Sequence, residues 1–174
     1  MTSEEENANP NCDLSHDETQ VIESPDEFAP GTCLLGRFEI QYLQGRGRFG
    51  AVYKAYDRQL DVAVAIKTIS PLSSQTEQHL NAFKQELLLL RQLSHPNILR
   101  VHEYYRVESH HFITMDWVEG LTLSQYLNEN TASLSDVMAI GEQLLNGLVF
   151  AQEMGVTHGD IKPDNLLINS DGKL

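Results

Sequence analysis

The sequence predicts an α+β fold in which a small, mostly antiparallel sheet with one packed helix precedes a helical region. Two patterns support this prediction. Apolar residues alternate in several segments between residues 37 and 118, as they do in half-buried strands. Apolar residues recur at helical spacing over residues 76–93 and again towards the end of the chain.

Three strands are predicted before the first helix. The segment RFEIQYLQG, residues 37–45, alternates apolar side chains and ends at a glycine-rich turn. AVYKAYD, residues 51–57, and DVAVAIKTI, residues 61–69, follow as the next two strands.

One helix, two strands and two further helices complete the prediction. The helix covers residues 76–93, and Pro96 prevents its continuation because proline disfavours helical geometry at the preceding residue. The remaining predicted segments are two strands at 98–107 and 111–118, a short helix at 122–130 and a long helix that ends near Met154. Ser135 is the predicted N-cap of the long helix. Its predicted apolar stripe consists of Val137, Ile140, Leu144, Leu148 and Ala151.

Negative charge is concentrated at the N-terminus. The 174 residues carry a formal net charge of −13, and nine of the 25 acidic side chains fall in residues 1–30, which contain no Lys or Arg. These residues lack apolar periodicity and are predicted to form a disordered acidic tail. Because an acidic chain without a basic stripe binds nucleic acids poorly, no nucleic-acid partner is expected.

Targeting and redox features predict a cytoplasmic protein. No apolar run approaches the roughly 18 residues of a membrane span. The N-terminus lacks the basic start and apolar stretch of a signal peptide. Cys12 and Cys33 form no metal or redox motif, and we expect unpaired thiols in a reducing compartment.

The glycine-rich segment GRGRFGAV joins the first two predicted strands and contains Gly45, Gly47, Gly50 and Val52. Glycines let a backbone approach phosphate groups, but a plain hairpin explains the same residues. The segment lacks the Gly-Lys-Ser/Thr ending of a P-loop, and it does not join a strand to a helix as dinucleotide loops do.

Lys67 and Glu86 are a candidate ion pair. VAIK ends at Lys67 on the third strand, where an ammonium could reach phosphates held beneath the glycine-rich segment. A lysine in this position is otherwise an ordinary strand-edge charge. Glu86, which precedes a run of leucines in the middle of the first helix, could hold the ammonium in place, although an isolated helix glutamate is usually solvated.

The segment HGDIKPDN, residues 158–165, concentrates catalytic types of side chain. Asp160 can accept a proton from a hydroxyl group, Lys162 can neutralise phosphate charge, and Asn165 can give an oxygen to Mg²⁺. A surface turn would explain the glycine and the proline of this segment but not the whole set.

Five motifs, in this order, resemble the catalytic domain of serine/threonine protein kinases of the bacterial type. They are GRGRFGAV, VAIK, HPNIL, ITMDWVEG and HGDIKPDNLLI, and the likeness runs from about Arg37 to Leu174. The resemblance implies a five-stranded antiparallel N-lobe with one packed helix at residues 31–118. It implies an incomplete helical C-lobe at residues 119–174. The implied reaction transfers the γ-phosphate of ATP to a serine or threonine of a protein substrate, with ATP and Mg²⁺ as cofactors.

The resemblance also implies a nucleotide site. Gly45, Gly47 and Gly50 would cover the ATP phosphates, and Lys67, paired with Glu86, would contact the α- and β-phosphates. The residues implied around adenine are Val52, Ala65 and Leu167 on its two faces, Met115 at the back, and backbone groups of Asp116 and Val118 at its edge.

Implied catalytic roles fall on the HGDIKPDN segment. Asp160 would be the catalytic base, Lys162 would steady the γ-phosphate, and Asn165 would bind Mg²⁺. His158 would be structural and pack beneath the loop. Gly159 stands where many kinases have the arginine that binds a phosphorylated activation loop, so switching by that route is not expected.

Two departures leave alternatives open. HGD also occurs in kinase-like small-molecule phosphotransferases, although these generally lack the other motifs. In kinases an Asp-Phe-Gly motif follows the Asn by roughly a dozen residues, whereas nine residues follow Asn165 here. We therefore expect a truncated, poorly active or inactive kinase fragment with an exposed apolar patch on its long helix. A non-catalytic nucleotide-binding or scaffold module is the other alternative.

Overall fold

The computed structural model describes residues 28–47, 50–69, 77–107 and 110–174. The described residues form two compact units. The first comprises those up to Leu80 together with Glu103–Met115, and the second comprises Asn81–His102 together with Asp116–Leu174.

A six-stranded sheet dominates the first unit, with the strand order β1-β2-β3-β4-β6-β5. Its strands are β1 (Cys33–Leu34), β2 (Phe38–Gly47), β3 (Gly50–Asp57), β4 (Val62–Ile69), β5 (Val101–Val107) and β6 (His110–Asp116). β2 pairs antiparallel with both β1 and β3, and β3 pairs antiparallel with β4. The sheet has one strand more than the five predicted, because the two residues of β1 are too few to produce an apolar alternation.

Buried and half-buried residues alternate along β3, and this pattern shows which face of the sheet packs on the core. Its buried residues are Ala51, Tyr53, Ala55 and Asp57, and the residues between them are half-buried. The apolar members of this set share one hydrophobic core with Phe38, Ile40, Val64, Ile66 and Phe112. Because side chains alternate along a strand, Val52 of β3 and its cross-strand partner Lys67 lie on the face opposite this core.

Phe28 belongs to this core, although it falls in the predicted acidic tail. Its side chain is 6% exposed. Its ring centroid lies 5.6 Å from that of Tyr53 and 5.5 Å from that of His110. The folded part of the chain therefore includes Phe28, whereas the rest of the predicted tail through residue 27 lies outside the described residues.

Cys33 is disulfide-bonded, which contradicts the expectation of unpaired thiols. The chain's other cysteine, Cys12, lies outside the described residues. Because disulfides persist mainly in oxidising environments, this bond weakens the argument for a reducing compartment.

An ion pair connects Arg37, which is half-buried and directly precedes β2, with the buried Asp57 at the end of β3. The Asp57 carboxylate accepts hydrogen bonds from Arg37 Nε at 2.9 Å and from Arg37 Nη2 at 2.6 Å. Its Oδ1 also accepts from the backbone N–H groups of Gln59 and Leu60. Pairing with Arg37 is the main reason that the pKa of Asp57 lies below its ordinary value, and the backbone donors act in the same direction against desolvation.

The second unit contains helices and a small two-stranded sheet. Its elements are most of α1 (Glu77–Leu90), then α2 (Leu123–Glu129), α3 (Leu134–Glu153) and the paired strands β7 (Gly120–Thr122) and β8 (Leu167–Asn169). All of the predicted strands and helices are present, with ends that differ from the predicted ones by at most three residues.

A capping box starts α3, at Ser133 and not at the predicted Ser135. Ser133 Oγ accepts from the Asp136 N–H at 3.2 Å, and Asp136 Oδ2 accepts from the Ser133 N–H at 2.8 Å. Both serines are N-cap residue types, but only Ser133 stands three residues before a side chain that can reach back to its N–H.

Helix α3 packs against the loop that follows α1. Gly147 is buried, and a Cβ atom at this position would lie 3.0 Å from the carbonyl oxygen of Asn97. The His95 ring stacks on Phe150 with a centroid distance of 5.2 Å. The Asn97 amide donates to Gln143 Oε1 at 3.3 Å. The helix therefore anchors the HPN segment at several points.

Another face of α3 is apolar and exposed. Its residues are Leu134, Val137, Met138, Leu145 and Val149, each more than half exposed. The structure contradicts the prediction that the apolar stripe of this helix forms the exposed patch: of its residues only Val137 lies on the exposed face, whereas Ile140, Leu144 and Leu148 are half-buried and Ala151 is buried. No helix in the part of the chain that the structure describes is long and apolar enough to span a membrane.

Candidate functional site

The glycine-rich hairpin and Lys67 lie together in the first unit. The register pairs Gly45 with Val52 and Gly47 with Gly50 across β2 and β3. Val52 is in turn paired with Lys67 of β4. Gly45, Val52 and Lys67 therefore form one row across three strands, with the side chains of Val52 and Lys67 on the same face.

The three glycines differ in their surroundings. Among the residues that the structure describes, chain neighbours apart, a Cβ atom added at Gly45 would meet no atom within 4 Å, and one added at Gly47 would meet the Gly50 carbonyl oxygen at 3.9 Å. Gly50 has a φ of +135°, and a Cβ there would lie 1.9 Å from the carbonyl oxygen of Thr68. The backbone thus requires glycine at position 50, whereas Gly45 and Gly47 leave the hairpin backbone uncrowded.

Thr68 of β4 contacts this hairpin, although no sequence pattern points to it. Its Oγ1 accepts from the Ala51 N–H at 2.9 Å and donates to the Ala51 carbonyl oxygen at 3.3 Å. A threonine that follows Lys67 on a β-strand is an ordinary β-branched residue in sequence. Only the pairing of β3 with β4 brings it to the hairpin.

Three residues with implied adenine contacts lie in the first unit. Val52 is half-buried, and Ala65 is 5% exposed and lies on the same sheet face, two residues before Lys67. Met115, the second-last residue of β6, is 7% exposed. These residues therefore have the burial expected of an apolar pocket.

The other implied adenine residues lie in the second unit. Asp116 ends β6, and its N–H donates to the Arg100 carbonyl oxygen at 3.0 Å. Its Oδ1 lies 2.8 Å from Nε2 of His102. Val118 is half-buried and Leu167 of β8 is 36% exposed. The N–H of Asp116 is thus already hydrogen-bonded to the backbone of Arg100.

Glu86 lies in the middle of α1 with an exposed side chain. It belongs to the second unit, whereas Lys67 belongs to the first. The Lys67–Glu86 ion pair therefore stays a prediction.

Asp160, Lys162 and Asn165 form one hydrogen-bonded group in the second unit. Lys162 Nζ lies 3.0 Å from Asp160 Oδ2. The 3-10 turn Pro163–Asn165 brings the Asn165 amide back to the aspartate, where Nδ2 donates to the Asp160 carbonyl oxygen at 2.8 Å and to Oδ2 at 2.9 Å. All three side chains are exposed, so a ligand in solution can reach them.

A tight turn presents Asp160. Gly159 has a φ of +75°, and a Cβ there would meet nothing within 4 Å. Its backbone conformation, not lack of space, therefore favours glycine. The Asp160 N–H donates to His158 Nδ1 at 3.3 Å. His158 is exposed and supports the turn through this bond, which corrects the implied packing of its ring beneath the loop.

The hydrogen bond from Lys162, and then that from Asn165, hold the pKa of the Asp160 carboxyl below its ordinary value, against weak desolvation. The side chain is therefore a carboxylate at neutral pH. Its two partners also fix its orientation, which is what a group that receives a proton in a defined direction needs.

Replacing Lys162 with methionine should raise the pKa of Asp160 towards the ordinary value of about 3.9, because the largest cause of its depression is removed. Carboxyl carbon NMR shifts of Asp160, followed against pH, measure this change. Lys173→Met removes another exposed lysine of the same unit and should leave the titration of Asp160 unchanged. Equal Asp160 titrations in the Lys162→Met variant and the wild type would contradict the assignment.

Comparison with known proteins extends the likeness beyond the motifs. Residues 38–174 match the profile of the protein kinase domain. The chain is 33% identical over 144 residues to the probable serine/threonine-protein kinase PknB of Lactococcus lactis, which covers 82% of this chain and 23% of that protein. It is 31% identical over 145 residues to the serine/threonine-protein kinase PrkC of Bacillus subtilis, which covers 83% of this chain and 22% of that protein. The chain thus spans less than a quarter of these relatives.

The fold is similar to that of the crystal structure of the Mycobacterium tuberculosis PknI kinase domain. The TM-score is 0.72 at 24% sequence identity, over 83% of this chain and 59% of that one. This likeness supports the prediction that the chain has a protein-kinase-like fold, with an antiparallel N-lobe sheet and a partial helical C-lobe. Since the profile match covers more than half of the sequence and includes both the glycine-rich hairpin and the HGDIKPDN loop, the chain belongs to the protein kinase family.

Proposed function

We propose that this chain is part of an ATP-dependent serine/threonine protein kinase, which transfers the γ-phosphate of ATP to a hydroxyl group of a protein substrate. The hydrogen-bonded group of Asp160, Lys162 and Asn165 carries this proposal. The choice of serine and threonine rests on Lys162, whose position relative to Asp160 resembles that in serine/threonine kinases, and on the relatives described above.

The ATP phosphates are assigned to the glycine-rich hairpin and Lys67. The uncrowded backbone at Gly45 and Gly47 allows a phosphate to approach closely. Lys67 stands in the same cross-strand row as Gly45 and contributes a positive charge. In the proposed active arrangement, Glu86 pairs with this ammonium and holds it towards the phosphates.

The adenine ring is assigned to the apolar side chains that the kinase resemblance implies. Val52 and Ala65 share a sheet face and would cover one side of the ring, and Leu167 would cover the other. Met115 closes the back of the pocket. Because the N–H of Asp116 is bonded to Arg100, its carbonyl is the group assigned to the adenine edge, together with backbone groups of Val118.

The HGDIKPDN loop fits a magnesium ion. Mg²⁺ prefers hard oxygen ligands such as carboxylates and amide carbonyls. Because Nδ2 of Asn165 donates to Asp160, the amide oxygen is the atom of this side chain that would hold the ion. Mg²⁺ supplies neutralisation of phosphate charge when bound.

In the proposed transfer step, Asp160 orients the substrate hydroxyl and accepts its proton. Asn165 keeps the carboxylate in place, and Lys162 steadies the γ-phosphate. Lys162 is also the main cause of the low pKa of Asp160. Turning the Lys162 ammonium towards the γ-phosphate therefore makes Asp160 a stronger base at the moment when the substrates are bound.

The proposed partner is a protein substrate, and no nucleic-acid partner is proposed for so acidic a chain. A cytoplasmic location remains a prediction, and the disulfide of Cys33 argues against a reducing compartment.

Binding and transfer test this proposal separately. In a calorimetric titration with ATP and Mg²⁺, Lys67→Met should weaken binding about tenfold or more, since a charge-assisted contact is lost. Lys54→Met removes a lysine from the same sheet face on the neighbouring strand, where it pairs with Ala65, and should change the affinity less than about threefold. Equal losses in both variants would contradict the specific role of Lys67.

Phosphate transfer is assayed with radiolabelled ATP and peptides that contain serine, threonine or tyrosine. The 174-residue chain should show negligible transfer because it contains no Asp-Phe-Gly motif to supply the main metal-binding carboxylate. The same residues expressed with any downstream coding sequence of the gene should phosphorylate serine or threonine, and Asp160→Asn should abolish this activity. If the 174 residues alone transferred phosphate, and Asp160→Asn removed this activity, the expectation of an inactive fragment would be overturned. Transfer to small molecules but not to peptides would favour a small-molecule phosphotransferase.

A further inference from the structure

We propose that Thr68 is a positioning residue that fixes the glycine-rich hairpin relative to Lys67 and thereby sets the affinity for ATP. This inference rests on the proposed function, because it concerns ATP binding by the same hairpin. It adds a residue that touches neither the nucleotide nor the reacting atoms.

The hydroxyl of Thr68 continues the pairing of two strands where their backbone register ends. The register of β3 with β4 runs from Asp57 and Val62 to Val52 and Lys67. Beyond this point, Thr68 Oγ1 bonds both the N–H and the carbonyl oxygen of Ala51, at 2.9 and 3.3 Å. One side chain thus satisfies the two backbone polar groups that a continued ladder would have paired.

The backbone of Thr68 also contacts the last glycine of the hairpin. A Cβ atom at Gly50 would lie 1.9 Å from the Thr68 carbonyl oxygen, 2.7 Å from its carbonyl carbon and 3.2 Å from Oγ1. Thr68 therefore contacts two successive residues, Gly50 and Ala51, where the hairpin enters β3. Because Thr68 follows Lys67 directly, it links the position of the hairpin to that of the ammonium.

On its first strand, the hairpin is held by backbone pairing with β3 and not by buried side chains. Residues 41–47 of β2 are all exposed, and Gly45 and Gly47 contribute no side chains to packing. Glycine-rich backbone has a large conformational entropy, which a bound ligand must reduce. A hairpin fixed in advance by Thr68 loses less entropy when phosphates bind, so the hydroxyl should strengthen ATP binding.

Two substitutions at Thr68 distinguish the effect of its hydroxyl group on ATP binding from the effect of its side-chain shape. Thr68→Val keeps the β-branched shape but loses both hydrogen bonds, and it should weaken ATP binding about fivefold in a calorimetric titration with Mg²⁺. Thr68→Ser keeps the hydroxyl and should bind ATP within about twofold of the wild type.

Thr114 provides a matched control for a general loss of stability. Its Oγ1 bonds both the N–H and the carbonyl oxygen of Glu103, at 3.3 and 3.4 Å, and so joins β5 and β6 in the same way. Thr114→Val should lower the melting temperature at least as much as Thr68→Val, since Thr114 is 3% exposed. Its affinity for ATP should stay within about twofold of the wild type.

Hydrogen exchange without nucleotide provides an independent readout. The Ala51 amide should exchange about tenfold faster in Thr68→Val than in the wild type, and Thr68→Ser should restore its protection. If the wild type binds ATP and Thr68→Val binds it equally well, the inference fails while the proposed function stands. If the wild type does not bind ATP, the proposed function and the assigned role in affinity fail together. Equal exchange rates would show that Thr68 does not fix the hairpin at all.

Discussion

Replacing Arg37 with methionine should lower the free energy of unfolding by about 3 kcal/mol near neutral pH. The carboxylate of Asp57 is buried, with 1% of the residue exposed, and it would lose both of its guanidinium hydrogen bonds. The backbone donors of Gln59 and Leu60 would remain, but they carry no compensating charge. Urea denaturation followed by circular dichroism measures the loss.

Arg58 provides the matched control for this substitution. It also makes two hydrogen bonds to one carboxylate, that of Glu39, at 3.0 and 2.8 Å. The two arginines are similarly exposed, at 24% for Arg37 and 30% for Arg58, but the Glu39 side chain is 23% exposed whereas that of Asp57 is 2% exposed. Arg58→Met should therefore cost less than about 1 kcal/mol. If Arg37→Met were no more destabilising than Arg58→Met, the burial of the Asp57 carboxylate would not have the importance assigned to it.

The effect of Arg37→Met should also depend on pH. In the wild type, Arg37 above all lowers the folded-state pKa of Asp57, so its stabilising effect is present above the unfolded pKa of about 3.9 and is lost as pH falls through the folded value. In the variant, desolvation opposes the charged form without Arg37, and the folded-state pKa of Asp57 should rise. The variant's deficit should therefore shrink as pH falls from about 3.9 through the folded-state pKa of wild-type Asp57, and a constant deficit over this range would contradict the argument.

Replacing Gly50 with alanine should weaken ATP binding by about tenfold or more and destabilise the first unit by about 2 kcal/mol. The added Cβ would overlap the Thr68 carbonyl oxygen, and the φ of +135° is unfavourable for alanine. To relieve this overlap, β3 must move away from β4, which displaces the hairpin from the row that contains Lys67. Thermal melting and an ATP titration measure the two effects.

Gly45→Ala tests whether the stability effect is specific to position 50. A Cβ at Gly45 would meet nothing within 4 Å in the described part of the chain, and this glycine has no positive φ. Its melting temperature should therefore stay within about 2 °C of the wild type. A comparable loss of stability in both variants would mean that Gly50 is not held against Thr68 as the structure shows.

Much of the fold follows from local sequence patterns. The strands and helices that were predicted each carry their own periodicity of apolar residues, whereas the three-residue strands β7 and β8 are too short to carry one and were not predicted. The two residues of β1 have none, and they form a strand only because β2 lies beside them. The position of the α3 cap depended on Asp136, which distinguishes Ser133 from Ser135. The exposed face of α3 was assigned incorrectly, because burial depends on which residues meet the HPN loop.

In the candidate site, contacts between residues close in sequence were predictable, whereas contacts between distant residues without a motif were not. Asp160, Lys162 and Asn165 lie within six consecutive residues, so the turn alone brings them together. The cross-strand row of Gly45, Val52 and Lys67 depends on register, which hairpin connections make predictable. The Arg37–Asp57 pair and the hydroxyl of Thr68 join residues about 20 positions apart and carry no sequence motif.

We propose that the Lys67 hairpin and the Asp160 loop act on the same ATP molecule. An NMR titration with ATP and Mg²⁺ tests it most directly, with the amide resonances of Val52 and Lys67 followed together with those of Asp160 and Asn165. Both groups of resonances should shift with one common dissociation constant, and Lys67→Met should weaken both responses equally. Shifts confined to one group, or two distinct dissociation constants, would contradict the claim.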